Sequence, residues 1–288
     1  MRLLSHVVDG DERLAVGVDE QLAVDVADLL GGGPWTMTRL LRDLPDSLER
    51  LRGALDRDRL PAARPLAALR LIAPVRPGKI VAVGRNYREH AAEESAALPT
   101  APLLFAKFPS ALVGEGATVT WSAGLTAEVD YEAELAVVIG QPARNVAVDR
   151  ALDHVLGYSC LNDVSARDLQ VSDGQWSRAK SLDTFCPMGP WLVTADAVPD
   201  PGALRLRCRV NGEVRQDAST AELVRGVAEL IAYCSQAFTL EPGDVIATGT
   251  PGGVGAFRDP PVFLADGDTV EVEIERIGTL TNRCRVLP

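Results

Sequence analysis

Histidine is scarce in this chain: there are three in 288 residues. The five cysteines, Cys160, Cys186, Cys208, Cys234 and Cys284, are scattered and form no C-x-x-C pair. Together these shortages exclude a zinc site of Cys/His ligands, so any metal site must be built from oxygens. Scattered thiols also argue against a disulfide framework and point to a reducing, cytoplasmic setting. Met1-Arg-Leu-Leu-Ser-His6 lacks the apolar core of a secretory signal, so none is expected. No apolar run approaches transmembrane length. Positive charge is in deficit, with 29 Lys and Arg against 40 Asp and Glu and a formal net charge of −11. That balance disfavours nucleic acid and anionic membranes as partners. An anionic substrate then needs a locally cationic site.

What is present is apolar residue. A hydrophobic share of 47% and a mean hydropathy of +0.05 fit a soluble globular protein with a sizeable core. The length suits one large domain plus a smaller one. The stretch Glu128-Val-Asp-Tyr-Glu-Ala-Glu-Leu-Ala-Val-Val-Ile-Gly140 organises the rest. Residues 135–139 are all apolar and rich in Val and Ile, which predicts a buried strand. Glu132 and Glu134 stand two residues apart just before it, and side chains at i and i+2 share a strand face. Two carboxylates held this close repel, and burying them unpaired is costly. A hard divalent cation with oxygen ligands removes both problems. A solvated strand end with acidic flanks is the other reading of the same spacing.

The N-terminal residues 2–25 alternate around Asp9-Gly-Asp-Glu12 and predict short antiparallel strands. Residues 36–58 carry leucines at helical spacing, as one broken helix or two. A Pro-rich connector then places a domain boundary near Ile72, dividing the chain into 1–72 and 73–288. Beyond it, strands are predicted at 79–84, 103–107, 158–162, 204–210, 245–249, 269–274 and 279–286. Helices are predicted at 87–97 with Asn86 as cap, near 149–156, and from Thr220 to about 236. Asn211-Gly212 is a strong hairpin signal. Residues 165–187 read as a long polar segment of the kind that is usually functional. Strands outnumber helices with few β-α-β alternations. The fold class is therefore α+β, a mainly β core with helices at its edges.

Several residues could carry chemistry. Asp163, at a strand end, would add a third anionic oxygen to Glu132 and Glu134; taken alone it reads more readily as a helix or turn cap. His90 and Glu93 share a helix face and could be a base with its orienting carboxylate, or an ordinary exposed pair. Lys180, in the long polar segment, could polarise a carbonyl or be a solvated lysine. Residues 248–255, Thr-Gly-Thr-Pro-Gly-Gly-Val-Gly, match neither the dinucleotide nor the P-loop pattern and read alone as a glycine-rich turn.

In combination these segments say more. Gly84-Arg-Asn-Tyr-Arg-Glu-His90-x-x-Glu93, Phe105-Ala-Lys-Phe-Pro-Ser110, Asp130-Tyr-Glu-Ala-Glu134, Asn162-Asp-Val-Ser-Ala-Arg-Asp168, Lys180-Ser-Leu-Asp-Thr-Phe-Cys-Pro187 and Gly249-Thr-Pro-Gly-Gly-Val-Gly255 occur in this order. The chain closely resembles the fumarylacetoacetate hydrolase family, in its shorter, acylpyruvase-like prokaryotic branch. The resemblance covers roughly residues 70–286; the first 70 match only in general character. It implies a C-terminal catalytic domain of mixed β-sandwich or roll type behind a small α+β N-terminal domain. It implies Mg²⁺ or Mn²⁺ on Glu132, Glu134 and Asp163, a catalytic dyad of His90 and Glu93, and Lys180 in the site. It places Arg167, Gln170 and Thr250 in contact with substrate or on the pocket wall, and it implies a homodimer.

The expected activity is hydrolysis of a C–C bond in a 2,4-dioxo acid of the acylpyruvate, fumarylpyruvate or fumarylacetoacetate kind, through a metal-stabilised enolate. In that scheme His90, oriented by Glu93, activates the water, and Lys180 offsets developing charge. The same machinery could decarboxylate an oxaloacetate-type 2-oxo acid or isomerise a 2-hydroxymuconate-type dienol. A metal-dependent binding protein without turnover is a further alternative, disfavoured because the dyad and the lysine are both present.

Overall fold

The computed structural model describes residues 1–56 and 60–288. The strand Ala133–Ile139 is its axis, and all seven residues are buried. It is apolar throughout because both of its faces are covered. Leu135, Val137 and Ile139 enter one core cluster, while Ala136 and Val138 enter another. The first face packs against a five-stranded sheet ordered Glu213–Ser219, Arg205–Val210, Thr269–Ile274, Gly278–Leu287, Thr118–Ser122. Leu206, Val272 and Leu280 of that sheet, with Leu230 and Ile231 of the helix Val227–Ala237, fill this side. The second face receives Leu29, Met37, Leu40 and Leu51 from the helices Val26–Leu30, Met37–Arg42 and Asp46–Leu55. The protein is α+β and mostly β.

The axial strand belongs to a twelve-stranded sheet. Its main path runs Arg64–Pro65, Leu22–Asp25, Asp11–Gly17, Arg2–Val8, Cys186–Thr194, Val155–Asn162, Ala133–Ile139, Val245–Ala247, Ile80–Gly84, Leu103–Lys107. The N-terminal strands therefore share the sheet with the rest, because Arg2–Val8 pairs with Cys186–Thr194. The hairpin at Asn211-Gly212 has positive φ at both residues, 53° and 81°, as a type I′ turn requires.

Three predicted helices differ. The helix after Asn86 is only Arg88–Glu93; Ser95 turns to φ 51°, and Ala96 N–H bonds back to Ala91 O. Asn86 does not cap it. Its amide donates to Arg225 O and Thr248 O instead. Residues 148–154 form a 3-10 turn, because pairing to the axial strand draws Val155 and Leu156 into the next strand. The helix predicted from Thr220 breaks into a turn, Thr220–Glu222, and Val227–Ala237. Between them Val224 N–H is tied to Asn86 O. The predicted 36–58 segment is two helices parted at Pro45; its last positions, 57 and 58, lie outside the described residues. The 165–187 segment contains the short strand Ser165–Ala166 and the helix Arg167–Asp173.

Candidate active site

Antiparallel register assembles the carboxylates. Ala133 pairs with Asn162 and Glu134 with Leu161, so one step outward Glu132 faces Asp163. Asp163 N–H donates to Glu132 O at 2.8 Å, and Glu132 N–H donates to Asn162 Oδ1 at 3.0 Å. Strand alternation then puts Glu134 on the same side as Glu132. One carboxylate oxygen from each of Glu132, Glu134 and Asp163 lies within 4.8 Å of the others, and all three residues are buried.

Buried charge of this density needs counter-charge. Lys180 Nζ lies 2.7 Å from Glu132 Oε2 and 3.1 Å from Asp163 Oδ2. Lys107 Nζ meets the other oxygen of Asp163 at 2.5 Å and also reaches the Lys180 carbonyl. Arg167 Nη2 lies 2.7 Å from Glu132 Oε1 and 2.9 Å from Asp130 Oδ2. Asp130 in turn accepts from the Gly255 and Ala256 amides, tying the glycine-rich turn to Arg167. Burial pushes the Glu132 carboxyl up, but Lys180, Arg167 and His90 pull it down to about 2. Glu134 goes the other way. Burial and the charges of Asp163 and Glu132 hold it well above the usual carboxylate range, against one backbone hydrogen bond from Gly249. Three hard oxygen donors, one of them poorly compensated, fit a divalent cation such as Mg²⁺ or Mn²⁺.

His90 is buried beside this group. Its Nε2 lies 3.1 Å from Glu94 Oε1 and its Nδ1 lies 3.7 Å from Glu93 Oε2. Burial lowers the affinity of the imidazole for a proton, but Glu93, Glu94 and Glu132 more than reverse this, and its pKa is raised. Arg85 Nε donates to Glu94 Oε2 at 2.6 Å. Glu93 Oε1 accepts from Gly253 N–H at 2.8 Å.

One cavity collects His90, Glu132, Glu134, Arg167, Gln170, Lys180 and Thr250 on its wall. Asp163 is reached through Lys180, and Glu93 through His90. Gln170 Oε1 accepts from Arg167 Nη1, and Thr250 Oγ1 accepts from Gln216. All nine residues singled out in the sequence thus fall in one place. Lys107, Asp130, Glu94, Arg85 and Trp176 were not singled out. Lys107 had a signal, a lysine closing an apolar strand. Asp130 had one too, since it continues the i, i+2 alternation of Glu132 and Glu134.

The family pattern described as fumarylacetoacetate (FAA) hydrolase C-terminal matches residues 79–285. The mitochondrial oxaloacetate tautomerase of Bos taurus is 46% identical over 253 residues, covering 87% of this chain and 80% of that protein. Among the solved structures, two that are similar over 100% of both chains are enzymes of named activity. The fumarylacetoacetate hydrolase of Exiguobacterium antarcticum has TM-score 0.87 and 40% identity. A maleylpyruvate hydrolase from Sphingobium has TM-score 0.82 and 39% identity.

Proposed function

Given that this chain belongs to the fumarylacetoacetate hydrolase family and is an enzyme, we propose that it interconverts the keto and enol forms of a 2-oxo diacid, with oxaloacetate as the test substrate. The observation that carries this reading is the cavity that gathers these side chains. It sets the imidazole of His90 against Arg167, Lys180 and the carboxylate trio. Glu132, Glu134 and Asp163 would hold Mg²⁺ or Mn²⁺, which would supply Lewis-acid charge to stabilise an enolate. Arg167 and Gln170 bind and orient the substrate carboxylate. Lys180 offsets negative charge as the enol oxygen develops. His90 takes the proton from the carbon next to the 2-oxo group, and a proton is returned to oxygen. Only a C–H bond breaks and an O–H bond forms, so no co-reactant is needed. The tautomerase relative supports this choice of reaction. All five cysteines are buried and free, which fits a reducing, cytoplasmic setting.

C–C hydrolysis of a 2,4-dioxo acid is the second reading, favoured by the likeness to maleylpyruvate hydrolase. There His90 would deprotonate water rather than carbon. The test is an ultraviolet assay of enol loss with oxaloacetate, run beside fumarylpyruvate and acylpyruvate cleavage and pyruvate release, with Mg²⁺ or Mn²⁺ present. The wild type should speed enol–keto exchange. His90→Ala should slow it by ~10² in kcat, the scale of a lost general acid or base, with cation binding unchanged. Wild-type protein that cleaves dioxo acids but leaves oxaloacetate exchange at its solvent rate would transfer the assignment to hydrolysis.

A further inference from the structure

The middle of the 165–187 segment plays no part in the proposed function, yet it puts an indole on the cavity wall. Trp176 lines the cavity together with Gly84, Arg85, Phe105 and Lys180. Its carbonyl accepts from Lys180 N–H at 3.0 Å, so one turn of chain delivers both side chains. The indole meets the Phe105 ring edge-on, with centroids 5.3 Å apart, a preferred geometry for an aromatic pair. Lys180 Nζ lies 5.4 Å from the Phe105 centroid, and the Arg85 guanidinium lies 5.8 Å from the indole centroid, both within cation–π range. An aromatic strip therefore runs along the wall with a cation at either end.

The indole has no room behind it. Gly84 closes the strand Ile80–Gly84, and a Cβ there would fall 2.5 Å from Trp176 Cζ3 and 3.1 Å from Cη2. The ring thus rests on strand backbone, an approach that glycine permits. Phe105 stands on the neighbouring strand, opposite Ala82, and braces the indole from a second side. A flat ring held against backbone and against another ring cannot recede. Space in front of it is scarce as well. The cavity encloses about 10 Å³, roughly the room of one water. A ligand makes the rest of its room by displacing wall side chains, and a wall that does not yield limits the size of the ligand.

Neither ring carries a charge that could hold a carboxylate. What lies along the strip is carbon, and charged groups are met at its ends. We propose that Trp176 is the specificity-determining residue of the cavity: its indole, backed by Gly84 and braced by Phe105, limits a 2-oxo diacid to the length of oxaloacetate. The proposal rests on the 2-oxo diacid reading of this site. A dioxo acid with a longer acyl arm would run into the indole.

The test is binding, read without turnover. Titration calorimetry with Mg²⁺ present compares oxaloacetate, 2-oxoglutarate and 2-oxoadipate, each one methylene longer than the last. The wild type should bind oxaloacetate about tenfold or more tightly than 2-oxoglutarate, the effect of one misfitting methylene in a fitted wall. It should bind 2-oxoadipate more weakly still. Trp176→Ala should bring the three affinities close together. Trp176→Phe, which keeps a smaller ring, should fall between, with circular dichroism checking that both variants are folded. Gly84→Ala should disturb the wild-type order but add nothing in the Trp176→Ala background, where the new methyl group no longer strikes a ring. A wild type that binds the three acids equally overturns the proposal. So does a folded Trp176→Ala protein that keeps the wild-type order. The order and its collapse in Trp176→Ala support the proposal even where oxaloacetate exchange stays at its solvent rate, which removes the tautomerase reading alone. Normal exchange with an order indifferent to Trp176 removes this proposal alone.

Discussion

Glu134 is the member of the carboxylate trio with least compensation. Lys180 reaches Glu132 and Asp163 and Lys107 reaches Asp163, whereas among the described residues Glu134 accepts from the Gly249 amide and feels Lys180 through its charge alone. A divalent cation should therefore depend on it heavily. Glu134→Ala is expected to abolish Mg²⁺ or Mn²⁺ binding by titration calorimetry, and EDTA should remove wild-type activity that either ion restores. Unchanged cation affinity in Glu134→Ala would sink the three-oxygen site. This pair of glutamates was legible because a period of two and a buried run leave little freedom for where two carboxylates point. Asp163 was legible once a strand end fell before it. Lys107 gave only the signal of a lysine closing an apolar strand, which reads as a solvated edge until tertiary packing closes over it.

At the scale of elements, many strands were read, Cys186–Thr194 and Thr118–Ser122 were missed, and helix ends were read poorly. The axial strand, the Asn211-Gly212 hairpin and the strand Leu103–Lys107 follow from local pattern. Helix ends were decided by distant partners, as when Asn86 bonds Arg225 and Thr248 instead of capping. The site itself hangs on how closely three strands approach. Gly157, in the strand that delivers Asp163, marks a close approach: a Cβ there would lie 2.2 Å from Val193 O, a backbone atom of the neighbouring strand. The backbone would have to move. Gly157→Ala is expected to cost about 1–3 kcal/mol, the range for overpacking a dense core. It should also weaken cation binding, since the register of Asn162 and Asp163 shifts with the strand. Chemical denaturation and calorimetry on the same variant check both. Wild-type stability with wild-type cation affinity would show that the strand pair absorbs the methyl group.

The whole molecule is a sheet covered on both faces, helices 26–55 on one and a second sheet on the other. None of the described helices is long and apolar enough to cross a membrane. Covering the faces leaves the sheet's end open. Among the described residues, Leu103–Lys107 is the last strand on its side and pairs only with Ile80–Gly84. Leu103 is 36% exposed, and Phe108, just beyond it, is 51% exposed. An uncovered end strand flanked by apolar side chains invites association and is normally blocked or paired. The same strand carries Lys107 into the carboxylate site, and Phe108 N–H is held by Ser181, next to Lys180. A cover over this end would also steady the site, and a second copy of the chain would supply a surface of matching character through two-fold symmetry. A homodimer is therefore expected. Light scattering at low micromolar concentration should give about twice the chain mass of 30.7 kDa. Phe108→Glu should move that mass toward one chain with the circular dichroism spectrum preserved, and it should lower activity in step with the monomer fraction. A wild-type protein that scatters as a single chain rules the dimer out. A Phe108→Glu protein that stays dimeric puts the contact on another face.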